Sequence, residues 1–242
     1  MDWTQATARI GNGLRERKPP QSNLKENFRR KNPILHIEAS LGIVGIPGSG
    51  RKTLAYRFAN MNLGAIQDGE VPVASFYTAN FEGKFSSERS DNPYEQFLLR
   101  LTTYIIEPPA ELPVHEPPLY SAHWNDFCCL IFAFDVRNQA SFHEASLRLA
   151  SYRQENYCLP ACLILVGNKC DRRNDPPPVT VNLEDPEYLN QRPVIEWSAY
   201  MEAEHLGALY FECSAKNNTD VTPLLKLIKF CAIDNKYWIQ DT

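Results

Sequence analysis

Two polar clusters in the second half of the chain, each behind an apolar run, hold the residue types of a base-reading site. Ala161–Val166 leads into Gly167-Asn168-Lys169-Cys170-Asp171, and Leu209–Cys213 leads into Ser214-Ala215-Lys216. A carboxylate fixed at the end of a buried strand, as Asp171 would be, can accept two hydrogen bonds from adjacent N–H groups on one purine edge. Guanine offers that pair of donors and adenine does not. The wrong base leaves the polar groups buried and unpaired, so such a site discriminates strongly. Asn168 is expected to brace the base and a phosphate loop. The Lys169 stem can lie over the purine ring, and the Ala215 N–H can meet the base carbonyl oxygen.

A third cluster lies nearer the start. Leu35–Gly45 is apolar and runs into Ile46-Pro47-Gly48-Ser49-Gly50-Arg51-Lys52-Thr53. Strand, glycine-rich turn and helix start are the context of a phosphate-binding loop, GxxxxGK[ST]. Its N–H groups cradle phosphate, its lysine neutralises the outer phosphates and its hydroxyl ligates magnesium. The pattern fits in two ways. Without a gap, Gly45 and Gly50 are the two glycines, Arg51 replaces the lysine and Lys52 the hydroxyl residue. With one inserted residue, Lys52 and Thr53 take those roles. The ungapped fit is preferred, because it keeps Leu54 and Phe58 on the helix face. It points a cation at the Mg²⁺ position, and arginine is a poor substitute for the compact lysine charge. Pro47 also removes one N–H from the cradle. A glycine-rich turn that holds no phosphate is the plain alternative.

The elements that must position these clusters follow from hydrophobic patterning. Strands are expected at Leu35–Gly45, Val71–Asn80, Phe97–Ile106, Phe127–Asp135, Ala161–Val166 and Leu209–Cys213. Helices are expected after Gly50, over Ala140–Gln154, near Glu196–Leu206 and over Val221–Cys231. Glu82–Asn92 reads as a hairpin turn, and the prolines from Pro108 to Pro118 exclude a long helix there. Strands alternating with helices predict an α/β fold: a mostly parallel six-stranded sheet flanked by helices.

The NKxD motif at Asn168–Asp171 followed by SAK at Ser214–Lys216 resembles the small GTPases. The resemblance implies a P-loop G-domain over 34–234, GTP or GDP as ligand, and protein partners of the effector or regulator type. The stretch Arg172-Arg173-Asn174-Asp175, a longer segment to Arg192, Pro193-Val194 and Leu206-Gly207-Ala208 are similar to the Rho branch. They imply a Rho-type insert between the NKxD and SAK motifs. The nucleotide-binding set carried over is Gly45, Gly48, Ser49, Gly50, Arg51, Lys52, Thr53, Asn168, Lys169, Asp171, Ser214, Ala215 and Lys216.

The reaction machinery departs from the family. Val71-Pro72-Val73 resembles the switch VPT, but Val73 cannot ligate a metal. Thr103-Tyr104-Ile105-Ile106-Glu107 stands where DTAGQ is expected, and no Asp-x-x-Gly occurs in the chain. Water positioning and charge neutralisation supply most of phosphoryl-transfer catalysis. The expectation is therefore a pseudo-GTPase acting by protein contacts, through a surface that includes Val71–Tyr77 and the insert. No catalytic residue or metal ligand is assigned, and Mg²⁺ is not expected to be well held. A working GTP-hydrolysing switch using Lys52 and Thr53, and a scaffold without nucleotide, are the alternatives.

Composition fits this class. The formal charge is -4 with 43% hydrophobic residues, as in an ordinary globular protein. No apolar run reaches the roughly 20 residues of a membrane span. The seven cysteines have no metal spacing and read as free buried thiols of a cytoplasmic protein. Residues 1–33 hold eight Lys/Arg against Asp2, Glu16 and Glu26. That segment reads as a flexible basic extension, able to touch an anionic membrane weakly. Residues 235–242 read as a short tail. No signal peptide, prenylation cysteine or myristoylation glycine is seen, so no lipid anchor is expected. No nucleic-acid partner is expected either.

Overall fold

Phe127–Asp135 (β4) is buried at every residue between its two ends, so it needs cover on both faces, and parallel sheets meet that need with crossover helices. The computed structural model describes residues 34–67, 69–84, 96–106, 127–155, 162–175 and 193–239. In chain order they form β1 (Ile34–Val44), α1 (Arg51–Ala59), β2 (Phe76–Lys84), β3 (Gln96–Ile106), β4, α2 (Gln139–Glu155), β5 (Leu163–Asn168), α3 (Glu196–His205), β6 (Leu209–Glu212) and α4 (Val221–Ile239). The sheet order is β2-β3-β1-β4-β5-β6. Only β2 is antiparallel to its neighbour. The expected six-stranded, mostly parallel α/β sheet is what the chain forms.

Two cores sandwich the sheet. On one side Leu41, Ile43 and Ile131 meet Leu54 and Phe58 of α1 and Leu224 and Ile228 of α4. On the other, Phe132 and Phe134 meet Phe142 and Leu149 of α2 and Ala199 and Ala203 of α3. Removing a ring such as Phe134, fully buried and edge-on to Phe142 at 5.1 Å, would cost about 3–5 kcal/mol. Cys128, Cys129, Cys162 and Cys213 are buried free thiols. Among the described residues no helix is long and apolar enough to cross a membrane.

Three expectations need correction. Strand β2 starts at Phe76, not Val71, because Pro72 cannot donate to a ladder; Val73 is 95% exposed. The strand then continues to Lys84, into the stretch read as a turn. Helix α4 runs on past Cys231 to Ile239. The third correction matters most. β1 and β3 pair in register over their whole length, with Leu41 opposite Thr103 and Val44 opposite Ile106. Thr103 is thus a buried mid-strand residue, 2% exposed, and not the first residue beyond the strand. The sequence that follows β3 is Glu107-Pro108-Pro109-Ala110-Glu111. The stretch Thr103–Ile106, which stands where the third motif is expected, therefore lies inside β3, and Glu107 lies outside the described residues. Residues 107–126, the 176–192 insert and residues 1–33 lie outside the described residues.

Candidate functional site

The carboxyl ends of β1, β4, β5 and β6 open to the same edge of the sheet, where parallel α/β folds place ligands. At that edge Asn168, 1% exposed, joins three segments. Its Oδ1 accepts the N–H of Lys169 at 2.8 Å and of Ala215 at 3.1 Å. Its Nδ2 donates to the carbonyls of Ser49 at 3.2 Å and Gly50 at 3.3 Å. The side-chain amide spends all its capacity on backbone, so it fixes the glycine-rich turn against both base-reading loops. Gly50 is required there: its φ is +82°, and a Cβ would sit 2.3 Å from Asn168 Nδ2. The Ala215 N–H, expected to meet a base carbonyl, goes to Asn168 instead.

Beside this hub lies a cleft of about 670 Å³. Of the residues expected at the site, Gly50, Thr53, Asn168, Lys169, Asp171, Ala215 and Lys216 line it. Gly45, Gly48, Ser49, Arg51, Lys52 and Ser214 do not. Asp171 sits in a short 3-10 turn, Cys170–Arg172. Its carboxylate is exposed at the cleft and has no hydrogen-bond partner among the described residues. That is the condition for accepting two N–H groups from a ligand. Lys169 adopts φ 64°, which throws its stem across the cleft. Its Nζ meets the Gly48 carbonyl and pairs with Asp135 Oδ2 at 2.7 Å. Asp135 was not picked out from the sequence as a site residue. The parallel register that sets it beside Asn168 was the signal for it.

Arg57 was missed altogether. Fully buried on α1, it donates to four carbonyls: Ala215 at 2.8 Å, Leu63 at 2.7 Å, Gly64 at 2.7 Å and Lys216 at 2.9 Å. Lys216 O also accepts the Ile66 N–H at 2.9 Å. One buried guanidinium thus stitches α1 and the loop behind it to the SAK loop. Burial lowers its pKa, though arginine remains a cation. Ser214 shapes the same loop: its Oγ accepts the Asn217 N–H at 3.1 Å. The two base-reading loops also touch directly, through the Cys170 N–H and the Cys213 carbonyl at 3.1 Å.

The turn after β1 leads directly into α1, with Gly50 as the cap and Arg51 as the first helical residue. Its guanidinium folds back, Nη1 to Gly45 O, and is 6% exposed. The Ser49 N–H is taken by Ile46 O at 3.2 Å. Gly45 is tightly enclosed, since a Cβ would lie 2.7 Å from Ala133 O. Gly48, φ +90°, is the open tip of the turn. Lys52 is exposed, and Thr53 faces the cleft. A guanine base therefore fits the residues present: a free carboxylate, a lysine stem and a braced floor.

Over residues 118–230, just under half of the chain, the sequence matches the family model for the Ras family. It is 30% identical over 110 residues to the Ras-related protein Rab-27A of Homo sapiens, covering 46% of this chain and 42% of the relative. The match to Rab-27A of Sus scrofa is 33% over 131 residues, 51% of each. These comparisons support the small GTPase superfamily. The chain spans about half the length, or less, of these small-GTPase relatives. The matched window carries both base-reading loops, and the turn after β1 lies outside it.

Proposed function

We propose that the chain is a guanine-nucleotide-binding module of the small-GTPase type that hydrolyses GTP weakly or not at all and acts through protein contacts. The observation that carries the reading is the division of the cleft. Asp171 stands free at its base end, while Arg51 is folded onto Gly45 and Lys52 occupies the hydroxyl's place. Arg51 and Lys52 offer positive charge to phosphates without a metal. The Rho-like assignment belongs to the same proposal. Its support is that Arg173 of the Arg172–Asp175 stretch pairs with Glu212 and donates to the carbonyl of Val194, in the Pro193-Val194 pair, at 2.6 Å. Cytoplasmic location, and effector- or regulator-type partners, are part of this proposal too.

Gently purified protein, denatured and analysed by chromatography for released nucleotide, tests the reading. Stoichiometric GTP is the expected result. An empty protein whose melting temperature ignores added GTP and GDP would leave a scaffold, since a ligand of the native state must raise stability. The second reading is a slow working GTPase that uses Lys52 and Thr53, and the placement of Thr53 on the cleft lining favours it. Its mark is GDP as the resident nucleotide, with release of phosphate that depends on Mg²⁺.

A further inference from the structure

The outward face of α3 carries a second recognition feature, remote in chemistry from the nucleotide cleft. Its inward residues are Ala199 and Ala203, both fully buried, so the helix lies close on the sheet and turns every large side chain outward. Trp197 is 67% exposed, and Tyr200 and Met201 are each 44% exposed. Residues three and four apart share a helix face. Here Trp197 and Tyr200 stack, with ring centroids 5.5 Å apart and planes 22° apart. Together with Glu196 and Tyr210 of β6 they line a surface cavity of about 350 Å³.

The charge of this cavity is one-sided. Helix α3 carries Glu196, Glu202 and Glu204 and no lysine or arginine. The Glu196 carboxylate has no hydrogen-bond or ion-pair partner among the described residues. The neighbouring carboxylate, Glu212, is already matched: it takes the Arg173 guanidinium and the Tyr210 hydroxyl. Burial and that carboxylate raise the Tyr210 pKa, so the ring remains a neutral phenol. A stacked aromatic pair beside an unmatched carboxylate suits a planar cation. Guanidinium stacks on rings and pairs with a carboxylate through two parallel N–H groups, which ammonium cannot do. The first-turn position of Glu196 offsets the positive end of the helix dipole, which would otherwise repel such a guest.

The geometry points to a docking site for an arginine side chain of a protein partner, held between the Trp197–Tyr200 stack and Glu196. This site is independent of whether nucleotide occupies the cleft.

The test uses the full chain and a capped Gly-Arg-Gly-Arg-Gly peptide, followed by the indole ¹H–¹⁵N resonance of Trp197. The control is the same peptide with citrulline for arginine, which keeps the shape and removes the charge. A saturable shift with the arginine peptide, absent with citrulline, is expected. Glu196→Gln should weaken the affinity at least fivefold, and Trp197→Ala should abolish the binding detected by isothermal calorimetry. Both side chains are exposed, so urea unfolding should be unchanged. If Trp197→Ala unfolds the protein, Glu196→Gln alone decides. No saturable shift, an equal response to the citrulline peptide, or full binding by Glu196→Gln would each overturn the site. A lysine peptide binding more tightly than the arginine one would overturn the choice of guanidinium.

Discussion

At the base end of the cleft, Asn168 makes four hydrogen bonds to three backbone segments and leaves Asp171 open to a ligand. At the phosphate end the polar groups are turned on one another: Arg51 on Gly45 O and the Ser49 N–H on Ile46 O. Both ends hang on the same sheet edge and share Gly50. The difference is in where hydrogen-bonding capacity is spent. A binding site needs some of it unspent, aimed at the ligand and held by groups that are themselves saturated. The base end meets that condition, and the phosphate end meets it only if Arg51 swings out.

Asn168→Ala attacks the residue common to both ends and should have the largest effect. Four backbone groups lose a partner, and the expected loss is about 3–4 kcal/mol in urea unfolding, by the cost of unsatisfied buried groups. Arg57→Met keeps the length but leaves carbonyls of both the SAK loop and the loop after α1 unpaired. A loss of about 3 kcal/mol should come with faster amide exchange at Ile66. Exchange at Leu54, whose N–H is bonded within the turn, should change less. Equal acceleration at both would erase the distinction between the two ends.

Asp171→Asn separates recognition from folding. Guanine-nucleotide affinity should fall about 100-fold, the range for a site built around paired polar groups. Xanthine nucleotide, whose edge carries an oxygen where guanine has an amino group, should gain. Stability should shift by no more than about 0.5 kcal/mol, as for an exposed side chain. An unchanged guanine preference would remove Asp171 from the reading.

The buried thiols add a pH dependence. The Cys162 pKa is pushed up to about 12, first by its hydrogen bond with Cys129 and then by burial, and burial raises Cys213 as well. The unfolded thiols ionise near pH 9, so above that pH the native state binds more protons than the unfolded one. Stability should hold level below pH 9 and decline between pH 9 and 12, read as melting temperature. Cys162→Ser should flatten part of that decline. The smallest effect belongs to Lys52→Ser, which puts a hydroxyl back at the metal position. A slight Mg²⁺ dependence of nucleotide retention is expected, and none would mean that the turn itself, with Pro47 and Arg51, excludes the ion.

Much of this was legible in the sequence. The apolar runs before Asn168 and Ser214 are parallel strands, the first of them fully buried, and their polar ends had to converge once the sheet was parallel. Single residues beyond that depended on register and on distant contacts. Thr103 stands at the expected place of the third motif although the strand is expected to reach Ile106, and the pairing with β1 shows it buried in mid-strand. Nothing local singled out Arg57, since its partners at Ala215 and Lys216 are 158 and 159 positions away. Pro72 was visible, yet the valines around it suggested a strand.

The Arg57 stitch also sets a schedule for the newborn chain. At roughly 5–20 residues per second of synthesis, on the order of ten seconds or more separates the appearance of this cation from that of the SAK-loop carbonyls. Until then a charge destined for the interior has only the loop just behind it for company. A chain stopped short of Ala215 leaves it stranded. Completion of the last strand therefore acts as a quality checkpoint, and truncated products should be handed to chaperones or proteases instead of lingering as half-domains.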